Sequence, residues 1–168
     1  MSLSNFELLS LAKYYNIPLV GIFMKDLLPH EPVCGFYIVN LQSSTEGNGT
    51  HYTLLVITSK IVIYSDSFGC CPPLEIEYFI KPLRLPFAYN AWIIQNLKSE
   101  LCGWYALALC MFIHAHPTMQ LVDTVNSFID MFHDNTLDNG PILKKYYKKF
   151  PIKPNAFVKR RLLAANIK

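Results

Sequence analysis

Apolar residues recur along this chain with two different periods, and the switches between them mark its elements. From Ser4 to Tyr15 the residues Phe6, Leu8, Leu9, Leu11 and Ala12 return at roughly helical spacing, which predicts an opening helix. IPLVGIF predicts a short buried strand, the prolines and histidine of LLPHEPV a loop, and GFYIVNL a further strand. Polar SSTEGNGT makes a turn leading straight to His51. The clearest local unit is HYTLLVITSKIVIYSDSFG, in which two β-rich runs flank Thr58-Ser59-Lys60 as in an antiparallel hairpin. Pro72 and Pro73 open a short helix, PLEIEYFIKP, and AWIIQ reads as another strand. The stretch from Cys102 to His114 predicts a strong helix stopped by Pro117. Thr118 is then placed to cap MQLVDTVNSFIDMF, whose Leu121, Val122, Val125, Phe128 and Ile129 form one apolar face. PILKKYYKKF is a last amphipathic helix before a tail containing Pro151 and Pro154. Helices flank a cluster of strands rather than alternating with them. The fold class is therefore α+β, with a central, mostly antiparallel sheet.

Composition narrows the class. The 168 residues are most simply one domain, 1–168, and with 52% hydrophobic and 16% charged residues they read as globular. The longest apolar run, Trp104 to Ile113, falls far short of the roughly 20 residues that cross a bilayer, so no membrane partner is expected. MSLSNFELLSLAKYY lacks the features of a secretory signal, which points to a protein that is not secreted. Five cysteines, an odd number with no CxxC pair, fit free thiols better than disulfides or a zinc site.

Charge is unevenly spread. Nine of the 15 Lys and Arg lie from Pro141 onward with no acid among them, so 141–168 forms a basic helix and tail. Two readings stay open: a solvated surface, or contact with a polyanion such as packaged nucleic acid. Tyr146 and Tyr147 either stack on bases or pack inward.

One segment carries candidate chemistry. Cys102-Gly103 stands where the strongest helix begins, and Gln95 stands seven residues upstream of the cysteine. A free thiol with a pKa of about 8.5 is only about 3% thiolate at neutral pH. Lowering that pKa by ~2 units takes roughly 2.7 kcal/mol of preference for the thiolate. An exposed helix N-terminus supplies only ~0.3–1 kcal/mol, so a histidine is needed as well. Gly103 is expected to let a substrate backbone approach. Among the histidines, His114 and His116 lie about three turns along the same helix, roughly 18 Å away. His133 follows an apolar helix with no acid on a rigid element, and His30 lies in a proline-flanked loop. His51 begins the hairpin and Asp66 ends it, so the two lie side by side, with the aspartate placed to orient and charge the imidazole. Gln95 and the Cys102 N–H are candidate donors to an oxyanion. Residue types alone leave a structural role open for all four.

In order and setting, these residues resemble a known family. Adenovirus-type cysteine proteases (adenain), relatives of the proteases that process ubiquitin-like proteins, show a histidine followed by an aromatic residue, an acid in D/E-x-F-G, and Q-x6-C-G. Here stand His51-Tyr52, Asp66-Ser67-Phe68-Gly69, and Gln95 before Cys102-Gly103. GFYIVN before His51 and CMFIHA within the helix are also similar to adenain, and the resemblance runs from Leu19 to His116. The order histidine, aspartate, cysteine differs from papain-like proteases and arylamine acetyltransferases, whose cysteine comes first. Tyr52 stands where the family usually has tryptophan, which bears on packing. The segment between Asp66 and Cys102 is shorter than in adenain and holds no cysteine from Pro72 to Leu101 to receive a disulfide-linked activating peptide.

The resemblance implies the adenain-type fold, with the nucleophile at a helix N-terminus, and a catalytic set of His51, Asp66, Gln95 and Cys102. It implies a maturation endopeptidase that cleaves capsid or other virion precursors next to small residues of the Gly-Gly or Ala-Gly type. Its style is that of virophages and related double-stranded DNA viruses, acting in the virion and in the host-cell cytoplasm, virus factory or nucleus. No cofactor is required by this chemistry, while DNA or a peptide stays open as an activator. Two alternatives use the same fold: an isopeptidase for a ubiquitin-like modifier, and a non-catalytic module that binds capsid protein or nucleic acid.

Overall fold

The hairpin around Thr58-Ser59-Lys60 is the spine of the molecule. Strands β3 (Tyr52–Ile57) and β4 (Val62–Ser65) pair antiparallel, with Ile57 opposite Val62 and Leu54 opposite Ser65. The Thr58 hydroxyl closes the turn by donating to the Ile61 carbonyl at 2.7 Å. All six residues of β3 are buried, because both faces of the sheet are covered. The computed structural model describes residues 2–47 and 50–149. The predicted tail from Phe150 on lies outside the described residues.

Three more strands complete a five-stranded sheet in the order β1-β2-β3-β4-β5: β1 (Leu19–Met24), β2 (Gly35–Asn40) and β5 (Phe87–Tyr89). Helices flank it, as expected, but antiparallel pairing is confined to the middle. β2–β3 and β3–β4 are antiparallel, whereas β1–β2 and β4–β5 are parallel. The physical reason is in the connections. After β4 the chain returns through helix α2 (Leu74–Ile80) and a 3-10 turn at Lys81–Leu83, so β5 starts from the same end as β4. The link 25–34 does the same between β1 and β2.

Strand alternation sorts the core onto two faces. Leu54 and Val56 face the side covered by α1 (Asn5–Tyr14) and α3 (Cys102–Ala115), with α4 (Leu121–Ile129) and α5 (Asn139–Lys148) packed on α3, and they share one core with Leu8, Leu107, Phe128 and Leu143. Leu55 and Ile57 face α2, meeting Ile76 and Ile80. α3 is apolar nearly all round because it is enclosed: every residue from Tyr105 to Met111 is buried. α1 starts at a reciprocal cap, where Ser4 N–H donates to Glu7 Oε2 at 2.9 Å and Glu7 N–H to Ser4 Oγ at 3.3 Å.

Two local expectations give way. AWIIQ (91–95) is not a strand. β5 pairs with β4 only as far as Tyr89 opposite Tyr64, and β4 itself ends at Ser65, so nothing remains for it to pair with. Its apolar side chains divide accordingly, with Trp92 and Ile93 exposed and Ile94 buried. Thr118 does not cap α4. Met119 N–H turns back to the His116 carbonyl, and Gln120 holds the extended conformation that precedes the helix.

Gly69 fixes where segment 91–95 runs. Its φ is +68°, and a Cβ there would lie 2.9 Å from the Ala91 carbonyl oxygen. Gly69→Ala should therefore cost roughly 1–3 kcal/mol of stability in urea unfolding, from left-handed strain plus the clash.

Candidate active site

The site is assembled by one packing contact. Tyr52, the first residue of β3, lies against Gly103, the second residue of α3: a Cβ at Gly103 would sit 3.3 Å from Tyr52 Cδ2 and 3.4 Å from Leu8. Their neighbours His51 and Cys102 are thereby brought together. Gly103 is buried in this packing and does not face a substrate, so its missing side chain serves helix-to-strand approach instead. Tyr52 is further held by its hydroxyl, which bonds Asn5 Oδ1 at 2.6 Å.

His51 precedes β3 and Asp66 follows β4, at the same end of the hairpin. The imidazole Nε2 is 2.7 Å from Asp66 Oδ1. With the aspartate side chain only 1% exposed, the carboxylate must find its compensation inside the protein. Phe68 N–H also donates to Oδ1, at 2.8 Å, and the Phe68 ring stacks on the imidazole with centroids 4.6 Å apart. The aspartate main chain is gripped by Asn90, whose Oδ1 accepts from Asp66 N–H at 2.8 Å and whose Nδ2 donates to the Asp66 carbonyl at 2.9 Å.

Cys102 is the first residue of α3 and is 6% exposed. Burial works against its thiolate and is the largest single influence, yet the thiol lies below its ordinary value. The imidazole of His51, as hydrogen-bond partner and as charge, outweighs burial together with the N–H groups of Tyr52 and Gly103. For His51, burial opposes the charged ring, but Asp66 and Cys102 together raise its pKa to about 9. Thiolate and imidazolium stabilise one another, with the carboxylate behind the imidazolium.

Gln95 is 1% exposed and bonded at both ends of its amide. The Ser67 hydroxyl donates to Oε1 at 2.6 Å, and Nε2 donates to the Ser99 carbonyl at 2.8 Å. Ser99 lies in the loop that leads into Cys102. Among the described residues, the second Nε2 hydrogen has no acceptor. The structure thus bonds His51 to Asp66 and sets Cys102 within electrostatic influence of the imidazole, and it ties Gln95 to the residue after Asp66 and to the approach to Cys102. The other histidines lie elsewhere: His30 is on an exposed loop, His114 and His116 are at the far end of α3, and His133 is in the exposed turn after α4. Of the remaining thiols, Cys34, Cys70 and Cys71 are exposed and Cys110 is fully buried.

Three residues of this site carried no assigned role in the sequence: Phe68 as the ring beneath the imidazole, Asn90 as the clamp on Asp66, and Ser67 as the partner of Gln95. Ser67 and Phe68 stood in view inside Asp66-Ser67-Phe68-Gly69. Asn90, 24 positions from its partner, had no local signal.

No family model and no curated protein matches the sequence. Solved structures similar to this one include the ASFV pS273R protease, at TM-score 0.47 and 15% identity over 76% of this chain and 65% of that one. AvrA with IP6 and CoA is similar at TM-score 0.45 and 20% identity, over 78% of this chain and 52% of that one. The SUMO protease Ulp1, its catalytic cysteine oxidised to a sulfinic acid, gives TM-score 0.36 and 17% identity over 64% and 53%. The chain thus spans between half and two thirds of the length of these proteins.

The two shifts set the direction of the pH dependence. Cys102 should react with iodoacetamide at pH 6, where an ordinary thiol is under about 1% ionised, and faster than Cys34, Cys70 or Cys71. Any reaction that needs the imidazolium should fade as pH rises through about 9, the His51 value. Asp66→Ala removes the partner that raises it while burial remains, so this alkaline limit should move towards neutrality. The checks are the pH dependence of alkylation, read by mass spectrometry of the labelled cysteine, and the pH profile of turnover.

Proposed function

We propose that this chain is a thiol hydrolase acting on peptide or isopeptide bonds of protein substrates, with Cys102 as nucleophile. The observation that carries the reading is the continuous line of carboxylate, imidazole and thiol at a helix N-terminus, with both pKa values displaced towards the ion pair.

The chemistry follows from the positions. The Cys102 thiolate attacks the carbonyl carbon of the scissile bond. The developing oxyanion is met by the Cys102 N–H, which as the first helical residue has no acceptor four residues back, and by the free hydrogen of Gln95 Nε2. His51 imidazolium gives its proton to the leaving nitrogen, the C–N bond breaks, and an acyl-thioester remains. Neutral His51 then takes a proton from water as the oxygen attacks the thioester, and sulfur leaves as thiolate beside a recharged imidazolium. The bond of Asp66 to Nε2 leaves Nδ1 as the nitrogen that serves sulfur, water and leaving group. The four side chains and water complete the cycle.

The narrower function is maturation cleavage of virion or capsid precursors beside small residues, Gly-Gly or Ala-Gly, within the virion or the infected cell. The resemblance in motif order supports it. The basic stretch supplies a place for nucleic acid: Lys144, Lys145, Lys148 and Lys149 on and after α5 are all exposed. Tyr146 and Tyr147 turn inward, Tyr147 bonding the Trp104 carbonyl at 2.7 Å, so the lysines present charge without a stacking platform.

Two measurements test this. On a peptidyl-Gly-Gly coumarin amide and on a capsid precursor, Cys102→Ala should lower kcat by on the order of 10⁴-fold or more with unchanged circular dichroism. Full retention of cleavage would refute a thiol mechanism. Separately, reversing the charge of Lys144, Lys145, Lys148 and Lys149 should weaken binding to a DNA duplex in fluorescence anisotropy. It should also flatten the salt slope by about 0.9 for each phosphate that is no longer neutralised.

A further inference from the structure

Asp66 and Ser67 are successive residues whose side chains run to different halves of the site. Asp66 reaches His51. The Ser67 hydroxyl reaches Gln95 Oε1 at 2.6 Å, and the Ser67 carbonyl accepts the N–H groups of Ile94 and Gln95 at 3.0 and 2.9 Å. One residue therefore holds Gln95 by main chain and side chain together. The hydroxyl is itself buried, with Ser67 6% exposed, so this bond is not shared with bulk water.

The amide of a glutamine has a donor end and an acceptor end of almost the same shape, and only the donor end stabilises an oxyanion. The Ser99 carbonyl accepts but cannot donate, so it selects Nε2, yet a single bond leaves the amide plane free to pivot about it. A buried Oε1 without a donor would also drive that pivot, because an unpartnered carbonyl in the interior is costly. The Ser67 hydroxyl removes both freedoms. It satisfies Oε1, sets the plane, and polarises the amide so that Nε2–H becomes a stronger donor.

We propose that Ser67 is a positioning residue for the hydrolytic step: by bonding Gln95 Oε1 it holds the amide with its second Nε2 hydrogen free for the oxyanion. This deepens the assignment of Cys102 as nucleophile and rests on it. One turn of chain then orients both devices of the reaction, the proton carrier through Asp66 and the oxyanion donor through Ser67. Because the oxyanion exists only along the reaction path, loss of Ser67 falls on kcat and leaves KM in place.

The test is a double-mutant cycle on the full chain with the peptidyl-Gly-Gly coumarin amide. Ser67→Ala should lower kcat about tenfold at unchanged KM, and Gln95→Ala by on the order of 10²-fold. In the Gln95→Ala background, Ser67→Ala should cost nothing more. The rate of Cys102 alkylation should be the same in Ser67→Ala as in the parent, since the thiol–imidazole pair is untouched. Equal losses from Ser67→Ala in both backgrounds, or a loss confined to KM or to alkylation, would overturn the role of Ser67 and leave the nucleophile standing. Hydrolysis that survives Cys102→Ala would remove the nucleophile, and the role of Ser67 with it.

Discussion

A carboxylate sealed from water sets the conditions for everything around it. Asp66 is buried, so its charge must be met within the protein, and the imidazole of His51 and the N–H of Phe68 meet it at one oxygen. That obligation makes a charged His51 favourable despite burial. A charged His51 in turn makes the thiolate of Cys102 favourable despite burial. Neither cation nor anion would persist alone at these positions. The alternation of charge through the three groups lets each tolerate an interior that it would otherwise avoid, and the whole line is anchored where Asn90 fixes the aspartate backbone.

The scaffold reaches this precision through short connections. β3 and β4 carry His51 and Asp66 at one end of their ladder, and the crossover through α2 brings the chain back along β5 to deliver Asn90 and then Gln95. α3 closes the arrangement by laying Gly103 on Tyr52. Each functional group is therefore within two residues of a regular element or clamped by a buried hydrogen bond, and none depends on a long free loop.

Much of this was legible in the chain. The hairpin could be read because alternation and β-branching persist on both sides of Thr58-Ser59-Lys60, and α3 because its apolar run is too long for a strand and ends before Pro117. The hairpin set His51 beside Asp66 and the helix set Cys102 at its start, but only the order of motifs shared with adenain singled these residues out from structural ones. Strand direction was not legible: periodicity says which face a residue takes, not which way its neighbour runs, so the parallel pairs at β1–β2 and β4–β5 went unseen. AWIIQ misled because its apolar residues divide between surface and core without a partner strand. Gly103 was a glycine for its neighbours in the core rather than for a substrate. The hydrogen bonds of Asn90 and Ser67 join residues 24 and 28 positions apart, and no local pattern encodes such distances.

The turn that closes the β3–β4 hairpin lies at the opposite pole of the ladder from His51 and Asp66. Thr58 seals it internally, and Lys60 points into solvent. The rigid rungs between the two poles act as a spacer. An immobilisation chemistry aimed at that amine would thus present the His51–Asp66 pole outward on a surface or sensor, facing away from the support.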